Sequence, residues 1–306
     1  MSEHPAAGVP DERAGVVFAA SAYVLWGVLP LYWYLLTAVP PLQITASRVL
    51  FCAATVAGIS LARGRRSRII TILTTPALIR NLVASALLIG CNWTIFVYGV
   101  ATNRLVEASL GYYILPLVSA GLGVMLLSER LSAFRIAALV LAGAAVSVQA
   151  VALGYVPWIA LSLAVSFGFY GYFRKLTPVD PLDGLMIEML VLLPLTLGLC
   201  LYWWAAGRFA FFDGTVWRGF LLALAGPVTA LPLSLFAAGA RRIRLTTLGF
   251  LQYLGPSITL VLATALLGES FTRLDAATFA CVWMALAIVA AEGRLGRLRL
   301  RSAAGK

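Results

Sequence analysis

The sequence predicts an all-α membrane protein with about ten transmembrane helices in two inverted five-helix repeats. Three observations point there: an excess of apolar residues, a one-sided distribution of Lys and Arg, and an internal similarity at a spacing of 140 residues. Of 306 residues, 61% are hydrophobic and 11% are charged, against roughly a quarter charged in soluble domains. A soluble core still needs a polar shell, whereas lipid tolerates an apolar one.

A helix needs about twenty apolar residues to cross the hydrocarbon. Stretches that satisfy this lie at 15–37, 42–62, 79–101, 106–127 and 133–153, and again at 156–173, 183–206, 216–239, 246–267 and 273–292. Residues 1–14 form a polar tail without the basic start of a signal peptide, so the first span is expected to be retained. The two repeats are expected over 15–153 and 154–292, with a basic tail at 293–306. Between the second and third spans, Arg63-Gly-Arg-Arg-Ser-Arg68 and the apolar stretch after it are expected to lie on the membrane surface against anionic lipid. Thr75-Pro76 reads as the cap and first turn of the third helix, and Gly154–Pro157 as a tight turn.

Lys and Arg fix the orientation. Eighteen of the 23 fall on the face that carries the N-terminus, among them Arg63, Arg130, Arg174, Lys175, Arg241 and Arg294. The opposite face holds Arg104, Arg208, Arg218 and Arg273, and Arg48 lies within a span. Both termini are therefore expected in the cytoplasm. The same confinement to short loops argues against a nucleic-acid partner despite the net charge of +11. Four cysteines sit in apolar runs and the single histidine is His4, so no disulfide framework, metal site or cofactor is expected. No phosphate-cradling Gly-rich loop with a lysine is present, which argues against ATP-driven transport by this chain.

The internal similarity pairs Tyr113-Ile-Leu-Pro116 with Tyr253-Leu-Gly-Pro256, and each proline is followed thirteen residues later by a glutamate, Glu129 or Glu269. Five spans per half is an odd number, so the halves must insert in opposite directions. Pro116 and Pro256 are expected to kink their helices beside a cavity that accommodates the freed carbonyls. Glu129 and Glu269 are expected to stabilise the helix that follows each of them, or a loop.

Five blocks carry a family resemblance: Ala22-Tyr-Val-Leu-Trp26-Gly, Gly90-Cys-Asn92-Trp93, Glu107-Ala-Ser-Leu-Gly-Tyr-Tyr-Ile-Leu-Pro116-Leu, Ser166-Phe-Gly-Phe-Tyr170-Gly and Leu248-Gly-Phe-Leu-Gln-Tyr-Leu-Gly-Pro256. Together they resemble the RarD-type permeases of the EamA family, in the drug/metabolite transporter superfamily, over residues 14 to 292. The resemblance implies ten helices in two inverted EamA-type repeats. It also implies a role in carrying small molecules across the bacterial inner membrane. It implies no particular substrate.

Charges within spans need an explanation. Arg48 lies roughly 9 Å into the second span and Glu188 at the matching place in the seventh, counted from the opposite face. The two are therefore expected not to pair. Arg48 is expected to meet Glu107, and Glu188 to meet Arg174, Lys175 or Arg244. Each pair reads either as structural or as functional, with Glu188 a candidate for coupling a proton to export. Substrate-cavity candidates are Tyr23, Trp26, Asn92, Trp93, Tyr112, Tyr113, Tyr170, Gln252 and Tyr253, because rings with one polar atom suit varied, partly apolar solutes. Trp33, Tyr34, Trp203, Trp204 and Trp217 read as interfacial anchors.

The expected function is a secondary transporter, not an enzyme, that exports or exchanges small metabolites or drugs by alternating access. Its central site would be lined by spans 1, 3, 4, 6, 8 and 9. Two alternatives stand beside it. A membrane-embedded enzyme would need a His/Asp cluster or nucleophile elbow that the spans lack, and a channel or scaffold would show no transport cycle. Expected partners are a small-molecule substrate and membrane lipid. Small residues in the fifth span (Ala142, Gly143, Ala144, Ala145) permit close helix contact, within one chain or in a homodimer.

Overall fold

The computed structural model describes residues 11–102, 104–152, 154–212 and 215–266, together with 273, 276–277, 280–281, 283–285, 287–289 and 291–292. His4, Glu269 and the tail 293–306 lie outside the described residues, as does part of the tenth expected span.

Among the described residues the chain is helical and has no strand. The helices are α1 Glu12–Tyr34, α2 Pro41–Ala62, α3 Arg66–Thr74, α4 Pro76–Ala101, α5 Leu105–Leu127 and α6 Ala133–Ala152. They continue as α7 Trp158–Leu176, α8 Pro181–Ala205, α9 Val216–Ala240, α10 Leu245–Leu251 and α11 Leu254–Leu266. Six of them (α1, α2, α4, α5, α8 and α9) contain stretches long and apolar enough to cross a membrane, and α6 adds a shorter apolar stretch. The protein is a multi-pass membrane protein.

Local chemistry sets the ends. The Asp11 carboxylate accepts the Arg13 and Ala14 amides ahead of α1, and Thr215 caps α9 by accepting from the Arg218 amide. Pro41, Pro76 and Pro181 each open a helix, where the missing N–H costs nothing. α2 ends on Gly64 at φ 60°, a left-handed turn that a side chain would strain. The stretch after the arginines forms the short helix α3, with Ile69 and Ile72 buried beside Leu82 and Ile187 and with Arg66 and Arg68 exposed.

The ninth expected span, 246–267, is two helices and not one. α10 stops at Leu251, and Gln252 and Tyr253 form a turn before α11. Pro256 is the cause: its ring crowds the carbonyl four residues back, at Gln252, and it offers no N–H to that carbonyl. Pro116 lies in α5, which runs unbroken from Leu105 to Leu127.

α1 packs on α9 and α11, α7 on α4 and α5, α2 on α8 and α9, α4 on α8, and α10 on α5. The α2–α9 approach is close because Gly226 has no side chain: a Cβ there would lie 2.3 Å from the Phe51 carbonyl carbon. Ala142 and Ala145 of α6 are buried within the chain, and Ala142 shares a core cluster with Leu110, Ile114 and Ala285.

Candidate functional site

The start and finish of α1 name the two ends of the bundle. End A carries the start of α1, and end B its finish. Between the ends, Tyr23 and Trp26 of α1, Phe167 and Tyr170 of α7 and Phe236 of α9 form one aromatic cluster. Tyr170 stacks on Phe236 with ring centroids 5.6 Å apart, and Trp26 meets Phe167 and Phe236 at 5.7 Å each. Tyr23 completes the group at 5.6 Å from Trp26. Tyr23 and Tyr170 are buried, whereas Trp26 and Phe167 remain partly exposed.

Trp93 of α4 shares a core cluster with Tyr23 and Tyr170, and it links them to Arg48 of α2. The Arg48 guanidinium sits 4.3 Å from the Trp93 ring centroid and 5.0 Å from that of Trp33. Its Nε donates to the Thr229 hydroxyl on α9 at 3.2 Å. Tyr32, Cys52 and Tyr112 are titratable groups close enough to interact with its charge. The expected Arg48–Glu107 pair does not form. Glu107 is taken by Arg104 at 2.6 Å, by the Ile159 amide at 2.7 Å and by the Tyr155 hydroxyl at 3.1 Å. The α7 start offers an unsatisfied amide that Pro157 has no side chain to cap, and Glu107 fills that role.

Glu188 is wholly buried and meets Arg174, one of its three expected partners, at 3.5 Å. Ser85 of α4 also donates to its carboxylate, at 2.5 Å. Gly184, one turn earlier on α8, makes room for the guanidinium: a Cβ there would lie 2.2 Å from Arg174 Nη1. End A is knitted further by contacts between distant loops. Lys175 donates to the Ile243 carbonyl, Arg241 to the Val179 carbonyl, and Arg65 to Asp180 at 2.6 Å and Asp183 at 3.1 Å. Burial pushes the Asp180 carboxyl up, but the hydrogen bonds from Arg65 and the Leu182 amide outweigh it and hold the group below its ordinary value.

Glu129 acts on a different helix from the one expected. It does not cap α6, which follows it. Its carboxylate accepts the Leu245 amide at 2.7 Å, the Thr246 amide at 3.1 Å and the Thr246 hydroxyl at 2.6 Å, capping α10. The α10 start has no side-chain cap of its own, because Arg244 occupies that position.

The remaining candidates divide by use. Asn92 clamps α4 to α7, its Nδ2 donating to the Leu163 carbonyl at 3.0 Å and to the Ser166 hydroxyl at 2.9 Å. The Tyr253 hydroxyl donates to the Tyr113 carbonyl at 3.2 Å, 140 residues away in sequence, and so ties the α10–α11 turn to α5. Gln252 is buried in that turn. Tyr112 lies beside Phe96, close enough to Arg48 to interact with its charge. Trp33, read as an interfacial anchor, instead holds Arg48, and its seven-residue spacing from Trp26 was the available signal. Thr229, Phe167 and Phe236 carried no signal beyond their place in apolar runs. No group of three or more His, Cys, Asp or Glu among the described residues is arranged to hold a metal.

An uncharacterized transporter of Vibrio cholerae is 41% identical over 285 residues, covering 92% of this chain and 94% of that protein. The chain belongs to the EamA-like transporter family. That family matches residues 13–150. Within the EamA family it is of the RarD type: the Escherichia coli protein RarD is 39% identical over 284 residues, 90% of this chain and 93% of its own. A Pseudomonas aeruginosa protein named chloramphenicol-sensitive protein RarD is 30% identical over 277 residues, 89% of this chain and 92% of its own. A solved crystal structure superposes on this EamA chain with a TM-score of 0.69 over 92% of this chain and 98% of that one, at 19% identity, and shows the shared fold.

Proposed function

We propose that this EamA-family transporter is a secondary carrier of small metabolites or drug-like molecules that works by alternating access. In this reading ten spans form two inverted repeats, 15–153 and 154–292, in a bacterial inner membrane with end A in the cytoplasm. One observation carries it: the helix packing has matching partners when the halves are exchanged. The α1–α9 contact answers α7–α4, α2–α9 answers α8–α4, and α1–α11 answers α7–α5. Two contacts map onto themselves, α2–α8 and α5–α10, and the second joins Tyr113 to Tyr253 across the repeat. Carriers built from inverted repeats exchange two such arrangements by rocking one bundle against the other.

Segments distant in sequence are joined at both ends, by Glu129, Lys175 and Arg241 at end A and by Tyr32, Gln43 and Glu107 at end B. Arg48, Trp33 and Trp26 lie deeper in the bundle and are partly exposed.

Flux of a broad solute panel into proteoliposomes, with and without an imposed proton gradient, tests the proposal. Saturable flux is expected. A rate that stays linear in solute concentration would favour a channel, and absence of flux across the panel would remove the carrier reading. The Glu188→Gln variant tests proton coupling, and an unchanged response to the gradient would take Glu188 out of it. Labelling of a cysteine placed at Arg68 from the cytoplasmic side only is the outcome expected for the orientation.

A further inference from the structure

We propose that Arg48 is the anion-binding group of the central site and that the carried solute is a small organic carboxylate with an apolar or aromatic body. The inference rests on the carrier reading above and deepens it. Arg48 stands about 10 Å along α2 from its start and stays partly exposed within a span. A cation at that depth is costly without a partner, and such residues face a bundle interior or a water-filled cavity.

Among the described residues Arg48 has no carboxylate partner. The ion pairs at the two ends engage Glu107 with Arg104 and Glu188 with Arg174. The titratable groups that interact with the Arg48 charge, Tyr32, Cys52 and Tyr112, are ordinarily neutral at pH 7. Trp33 and Trp93 offset the charge through their ring faces but supply no lone pair. A guanidinium carries five N–H donors. Thr229 takes the one on Nε, and those on the terminal nitrogens meet no acceptor among the described residues.

A planar fork with free terminal N–H groups matches a carboxylate bidentately. One guanidinium balances a single negative charge, which favours a monoanion over a phosphate dianion. Trp93 joins this fork to the cluster of Tyr23 and Tyr170, so an apolar body attached to the carboxylate meets aromatic rings. Arg48 thus supplies orientation and charge, and the rings supply tolerant burial.

Calorimetric titration of the purified full-length protein in detergent tests the assignment. The probes are benzoate, phenylacetate and 4-methylvalerate, each beside its own amide. At least one acid is expected to bind about tenfold or more tightly than its amide, since the amide forfeits the charged bidentate contact. Arg48→Gln should abolish that preference while leaving amide binding in place, and Arg48→Lys should keep part of it. Equal binding of acids and amides, a preference that survives Arg48→Gln, or no binding by any of the three acids would overturn the proposal. Should Arg48→Gln fail to fold, the wild-type comparison and Arg48→Lys decide. The two readings fail separately. Without a carrier, acid selectivity persists and flux is absent. Without an anion site, neutral solutes move with no preference for acids.

Discussion

Arg48 and Glu188 stand 140 residues apart at matching places in the two halves of the sequence, yet the structure treats them in opposite ways. Glu188 is wholly buried, with a cation and a hydroxyl on its carboxylate. Arg48 is partly exposed, with aromatic rings and one hydroxyl around it. The difference originates one helix earlier. Fourteen residues before Glu188 stands Arg174, and fifteen before Arg48 stands Trp33. A charge met by an opposite charge closes a contact, whereas a charge met by a ring keeps donors for something else. One region holds the bundle together, and the other is available for a ligand.

The largest way to break the comparison is to remove the buried anion. Glu188→Leu leaves Arg174 uncompensated and should cost about 3–5 kcal/mol, read as a lower unfolding temperature or a loss of monodisperse protein. Removing both charges, in Glu188→Leu with Arg174→Leu, should recover much of that loss. Arg48→Gln should cost far less, because no carboxylate is stranded by it. Equal losses from the two single changes would show that both charges are structural.

Next in size is Gly184→Ala. The added Cβ meets the Arg174 guanidinium, and the displacement should cost about 1–3 kcal/mol in thermal unfolding. A similar substitution at Gly198, where a Cβ meets nothing within 4 Å, provides the control. Glu129→Ala should cost about 1–2 kcal/mol by uncapping α10. Faster hydrogen exchange at the Leu245 and Thr246 amides, with α6 unaffected, identifies the helix that depends on it.

The smallest effect is a pH dependence at end A. Asp180 has its folded pKa held below the ordinary 3.8, so its contribution is complete above that value. It is lost as pH falls through the lower folded value. At most about 1 kcal/mol is expected for a pair this exposed. Asp180→Asn should flatten stability against pH below 4 and change little at pH 7.

Much of the helical layout was legible because hydrophobicity, caps and prolines act locally. Thr75-Pro76 reads as the start of the third span, and α4 begins at Pro76. Pro256 announced a disturbance, although not that the helix would divide three residues earlier. The site was legible in part. The mid-span aromatics Tyr23, Trp26, Trp93 and Tyr170 do come together, whereas Asn92 spends its polar atoms on α7. Thr229 and Phe236 could not be singled out from α9, where neighbours on every face are equally apolar.

By itself the sequence determined that this chain lives in lipid, that it is helical, and that it belongs with the EamA transporters. Long apolar stretches must satisfy their backbone internally wherever they fold. Only the tertiary structure decided how each helix is rotated about its axis, and with that the partners of Glu107, Glu129 and Arg48. A soluble helix betrays its buried face by a polar one opposite, but lipid accepts the same side chains that the core does. A lone carboxylate therefore goes to whichever unsatisfied amide or cation the packing brings beside it. That is how Glu107 caps α7 and leaves Arg48 to the tryptophans.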